Sequence, residues 1–177
     1  LQLALDHPQA VGALALIAPL SHVPERVPAV FKPLAIRPRP LCALFAHTLA
    51  LPATVIGGRR LMARVFGPEP VPRDFATRGG GLLALRPSQF LAGADDLASV
   101  HTHLPPLARR YRELAVPLSV LYGRDDELLD WRANGRQLVD QVPGARLQLV
   151  DGGHMLPMTC PTVTAAFIAR AASAREL

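Results

Sequence analysis

Two short apolar runs in the last third of the chain limit its fold more than any other feature. LSVLY (residues 118–122) follows Pro117 and stops at Gly123. ARLQLV (residues 145–150) follows Pro143-Gly144 and stops at Asp151-Gly152-Gly153. Runs of this length between turn-forming residues read as strands, and a nearly unbroken apolar run such as the first reads as one buried on both faces. The segment between them, WRANGRQLVDQVPG, has the spacing of an amphipathic helix, and PTVTAAFIARAAS after the second run reads as a closing helix. Strand, helix, strand, helix with short connections points to adjacent parallel strands joined by right-handed crossovers.

In a sheet of that kind the chemistry gathers in loops at the carboxyl ends of the strands. Asp125 and Asp126 follow the first of these strands, and His154 follows the second. Neighbouring parallel strands would bring the two loops side by side. A carboxylate that accepts from one imidazole nitrogen fixes the tautomer and leaves the other nitrogen as a general base. The pair Gly152-Gly153 would let the histidine loop fold back over the sheet edge, since glycine tolerates backbone shapes and close approaches that other residues do not. Asp126 and His154 are therefore the candidate site residues, and Asp125 reads as a solvated neighbour that shapes the turn.

The start of the chain supplies a third strand. LQLALDHP reads as the last turns of an apolar helix stopped by Pro8, and VGALALIAP (residues 11–19) reads as an interior strand. From about residue 20 to 115 the pattern is irregular and rich in proline. LCALFAHTLALPATVIGGRRLMARVFG reads there as one or two helices joined near Pro52, and RPSQFLAGADDLASVHTHL as another helix or two.

These stretches together resemble the α/β-hydrolase family. PLSVLYGRDDELLD and ARLQLVDGGHMLPMTCPTVTAAFI resemble its last two strand-and-loop units, and LQLALDHPQAVGALALIAP resembles the helix and strand after its nucleophile elbow. The resemblance implies an α/β fold: the C-terminal part of such an enzyme, a mostly parallel three-stranded sheet edge flanked by helices. Residues 1–19 and 116–177 would form the core, with 20–115 as a helical lid insertion. It assigns the catalytic acid to Asp126, three residues after Gly123, and the base to His154. The implied reaction is hydrolysis of an ester or related acyl bond through a covalent intermediate, with no metal or organic cofactor. The partner would be a small, apolar acyl substrate. Haloalkane dehalogenase, lactonase and acyltransferase chemistries of the same fold are alternatives, as is a non-catalytic relative that binds.

The family's G-x-S-x-G elbow is missing. Ser21, Ser88, Ser99, Ser119 and Ser173 all lack its flanking glycines, so the nucleophile is expected within about ten residues upstream of Leu1. With no initiating Met and no basic signal segment at Leu1-Gln2-Leu3, the chain is expected to be a fragment of a cytoplasmic protein. Its two cysteines, Cys42 and Cys160, fit a reducing compartment and make neither a disulfide framework nor a zinc knuckle.

Other features carry milder expectations. The net charge of +5 comes from scattered arginines without interleaved aromatics, which argues against a nucleic-acid partner. No apolar run reaches the roughly 18 residues of a membrane span. Asp95-Asp96 reads as a helix N-cap, His47, His101 and His103 as surface residues, and IRPRP as an extended connector. Met155, Leu156, Phe45 and Leu49 read equally as an acyl pocket or as core.

Overall fold

β2 (Leu118–Gly123) lies at the centre of a parallel sheet, between β1 (Leu14–Ile17) and β3 (Arg146–Val150). The structure is a computed structural model and describes residues 1–24 and 29–174. Leu16 stands opposite Val120, and Leu121 stands opposite Gln148.

The nearly unbroken apolar run of β2 has a direct cause: both of its faces are covered. Leu118, Val120 and Tyr122 point into one core with Ala4 of α1 (Gln2–Asp6), Tyr111, and Leu138 and Val139 of α5 (Gln137–Gln141). Leu121 points the other way, into a smaller core with Leu156 and Phe167. These come from α6 (Leu156–Thr159) and α7 (Pro161–Ser173), and α7 lies across β1 and β2. Each large side chain buried in these layers contributes about 1.5–3 kcal/mol. The strand expected over residues 11–19 is shorter, and Ala15 is exposed on it. β1 has a strand partner on one side only among the described residues.

The long insertion between β1 and β2 is helical. α2 (Arg39–Thr48) and α3 (Ala50–Phe66) are bent by 75° at Leu49, and α4 (Pro87–Arg109) runs as one helix through Pro105 and Pro106. Among the described residues no single helix is long and apolar enough to cross a membrane. Arg110 ties the end of α4 back to Asp6 at 2.8 Å and to Glu113 at 3.0 Å.

Three local expectations change. Asp95 and Asp96 lie inside α4, whose N-cap is Arg86, and Asp95 instead forms an ion pair with Arg39 of α2. The helix between β2 and β3 opens as a π-helical turn over Arg132–Arg136 before α5 begins, with Asn134 and Gly135 buried. Gly135 of that turn packs on Tyr122, and a Cβ there would meet its ring at 2.8 Å. In IRPRP only the first three residues lie outside a helix, since α2 already starts at Arg39.

Candidate functional site

The carboxyl ends of β2 and β3 are stitched together by backbone. Arg124 N–H donates to the Val150 carbonyl at 2.8 Å and Asp125 N–H to the Gly152 carbonyl at 3.1 Å. The two chains are so close that a Cβ on Gly123 would fall 2.1 Å from the Gly152 oxygen. Glycine at 123 is thus a condition for the two loops to meet.

Within that junction Asp126 and His154 come together. The Asp126 side chain is fully buried and His154 is 23% exposed. Oδ1 of Asp126 accepts from the amides of Leu128 and Leu129, both at 2.9 Å. This local turn aims the carboxylate and fixes its rotamer. Oδ2 lies 2.8 Å from Nδ1 of His154. A carboxylate at neutral pH only accepts hydrogen bonds, so Nδ1 carries the proton and Nε2 keeps its lone pair. Nε2 has no hydrogen-bond partner among the described residues. Asp125, beside them, is exposed, and its side chain takes no part.

The double glycine has a second neighbour that no local pattern announces. The chain leaving α3 crosses over the histidine loop, and a Cβ on Gly153 would stand 1.9 Å from the Gly67 carbonyl oxygen. Gly153 N–H donates to both carboxylate oxygens of Glu69, each at 3.2 Å. Gly152 has φ +128°, a value that L side chains rarely adopt. The glycines therefore serve contact with the insertion as well as presentation of the imidazole.

The serines are placed elsewhere. Ser21 is fully buried, and its Oγ donates to the Asn134 carbonyl at 2.7 Å. With that proton committed, Oγ accepts from His22 Nδ1 at 2.8 Å, and His22 Nε2 accepts from the Gln141 amide at 3.0 Å. Burial holds the His22 imidazole below its ordinary value. Tyr111 donates to the Ser21 carbonyl at 2.6 Å, and burial pushes its phenol up to about 12. The Tyr122 hydroxyl donates to the Pro19 carbonyl, and its phenol is pushed up by burial first and then by Asp126 and Asp130. This network fastens the end of β1 to the π-helical turn. Ser119 is inside β2, Ser88 and Ser99 are on α4, and Ser173 ends α7.

The apolar candidates separate as well. Leu156 is core, Phe45 packs on Phe90 with ring centroids 5.5 Å apart, and Leu49 is 58% exposed. An apolar hollow of about 100 Å³ is lined instead by Leu20, Pro24, Phe31, Leu97, Val100 and Leu129 with His101. Leu129 is also one of the two residues whose amides Asp126 holds. Neither Cys42 nor Cys160 is in a disulfide, and no cluster of metal-ligating side chains occurs among the described residues.

No protein-family model matches this chain. No curated protein matches it either. Solved structures do. Its backbone is similar to the 2-hydroxy-6-oxo-6-phenylhexa-2,4-dienoate hydrolase of Rhodococcus sp. strain RHA1, with TM-score 0.66 and 16% identity over 96% of this chain and 58% of that one. It is similar to the enol-lactonase of Burkholderia xenovorans LB400, with TM-score 0.58 and 21% identity over 94% of this chain and 58% of that one. An alpha/beta hydrolase enzyme from a Medee basin deep-sea metagenome library gives TM-score 0.54 and 14% identity over 95% of this chain and 58% of that one. The chain spans little more than half the length of these structures.

Proposed function

This chain has the α/β-hydrolase fold, and on that premise we propose that Asp126 and His154 are the acid and base of a hydrolase acting on ester or related acyl bonds. The observation that carries the reading is the 2.8 Å bond from His154 Nδ1 to a buried carboxylate whose other oxygen is already held by two amides. The imidazole is oriented, its tautomer is set, and Nε2 is left to take a proton.

His154 Nε2 removes the proton of a nucleophile as that atom attacks the acyl carbon. Asp126 stabilises the imidazolium, which then protonates the leaving group, and water repeats the sequence to release the acid. This reading takes the nucleophile from ahead of Leu1, because no serine of the chain stands in a G-x-S-x-G elbow. Residues 20–115 act as its helical lid. A lactone is an alternative substrate to a linear ester in this reading, and an enol-lactonase is among the structural neighbours.

The test starts with the coding sequence ahead of Leu1. A G-x-S-x-G there supports the hydrolase, an aspartate in place of the serine moves the reading to a dehalogenase, and a start codon directly ahead favours a binding protein. A form that includes such an elbow should turn over short p-nitrophenyl esters, and His154→Ala should abolish turnover. The 177-residue chain should show no turnover above its own His154→Ala variant. Robust esterase activity in that chain would show that the nucleophile lies within it.

A further inference from the structure

We infer that Glu69 is a positioning residue for His154, through which the helical insertion holds the loop that carries the base. The inference rests on the proposed role of His154 and deepens it. Glu69 lies 84 residues before Gly153 in sequence, yet both of its carboxylate oxygens receive the Gly153 amide, one residue before the imidazole.

The contact is built from both sides. On the insertion side, α3 ends at Phe66, which is fully buried, and Glu69 N–H donates to the Phe66 carbonyl at 3.0 Å. That turn holds the Glu69 backbone against a fixed anchor. On the loop side, Gly152 and Gly153 are both buried, and side chains there would collide with this same segment. A Cβ at 152 would lie 2.8 Å from Glu69 Oε1, and one at 153 would lie 1.9 Å from the Gly67 oxygen. The two glycines and the Gly67–Glu69 segment are complementary surfaces.

The Glu69 carboxylate has no cationic partner among the described residues, so the Gly153 amide is its hydrogen-bonding purpose there. A charge-assisted bond to a buried amide is stronger than a neutral one. Asp126 grips the ring of His154 at Nδ1, and Glu69 grips its backbone one residue upstream. Together they restrain the imidazole at two points. An acid–base group loses rate steeply when its geometry loosens, so the second restraint bears on turnover without touching the substrate.

Amide exchange and proton NMR on the full chain test this directly. In the native chain the Gly153 amide proton should be protected. In Glu69→Ala its exchange should be faster by roughly ten- to hundredfold, the equivalent of losing one hydrogen bond to a charged group. Glu69→Gln keeps one acceptor oxygen and should restore most of the protection. In an elbow-containing form, Glu69→Ala should lower kcat with KM nearly unchanged, and Glu69→Gln should recover it. Gly153 exchange that is the same in the native chain and in Glu69→Ala overturns the inference. A Gly153 amide that exchanges in the native chain as fast as an unbonded one overturns it too, and needs no variant to fold. The His154 Nδ1 proton is a separate signal: its absence would undo the proposed role of His154 while leaving the Glu69–Gly153 contact standing.

Discussion

Gly153→Ala should be among the most damaging single-methyl additions this chain can receive. The added Cβ would lie 1.9 Å from the Gly67 carbonyl oxygen, 2.8 Å from its carbonyl carbon and 3.1 Å from Glu69 Oε2. Ordinary contact needs roughly 3.5 Å, so two buried backbone segments must separate by about 1.5 Å. Neither is a flexible side-chain end that can swing away. Overpacking of this kind costs about 1–3 kcal/mol. Separation also stretches the Glu69 bond to the Gly153 amide, and a hydrogen bond to a charged group is worth about 1.5–3 kcal/mol. Glu69 is partly exposed and water replaces some of that, which brings the total to roughly 3–4 kcal/mol. For a chain of this size the melting temperature should fall by roughly 6–16 °C. Calorimetry should follow three variants side by side. Gly144→Ala faces open space at φ +74° and should cost only about 1 kcal/mol of left-handed strain. Gly57→Ala, inside α3 with nothing within 4 Å, should gain about 0.5–1 kcal/mol. If Gly153→Ala melts with Gly144→Ala, the crossing of the two segments is not what the glycine serves.

Asp126→Ala removes the acceptor of two amides and one imidazole, and chemical denaturation should show a loss of about 2–4 kcal/mol. Asp126→Asn keeps an oxygen for the amides and should lose much less stability, yet its NH2 group favours the other imidazole tautomer, so an elbow-containing form should lose most of its turnover. His22 has its folded value held below 6.5 by burial, so the unfolded chain takes up a proton first as pH falls through 6.5. Its contribution to stability should therefore decline as pH falls through 6.5 toward the lowered folded value, and unfolding free energies of His22→Gln should lack that part of the slope. Tyr111→Phe leaves the Ser21 carbonyl without its donor and should cost about 0.5–1.5 kcal/mol in the same assay.

Local order explains which parts of this molecule are legible in the sequence. β2 and β3 can be read because burial on a parallel sheet demands apolar runs, and because glycines bound them: Gly123 closes the first, and Gly144 and Gly152 flank the second. The placement of Asp126 and His154 in adjoining loops follows from that order, and their 2.8 Å separation is its geometric result. Glu69 could not be found in this way. Gly67, Pro68 and Pro70 announce a turn, but nothing in them points to a loop more than eighty residues away. Asp95 fails for the opposite reason: its type suits an N-cap, yet it lies in mid-helix, where its carboxylate pairs with Arg39. The π-helical turn at Arg132–Arg136 leaves no mark on helical periodicity, and the close approach of its Gly135 to Tyr122 is a tertiary contact.

The insertion between β1 and β2 also sets an order of assembly. Pairing Ile17 with Leu121 closes a loop of roughly 100 residues, whereas pairing β2 with β3 closes roughly 25. Loop-closure entropy alone disfavours the longer connection by about 1 kcal/mol. β2, α5 and β3 should therefore form the early unit, with β1 joining last on folding and leaving first on unfolding. Asp126 and His154 both belong to the early unit, and Glu69 belongs to the late one. In a chain opened at that junction the imidazole would still rest on its carboxylate, while the amide next to it would have lost its second hold.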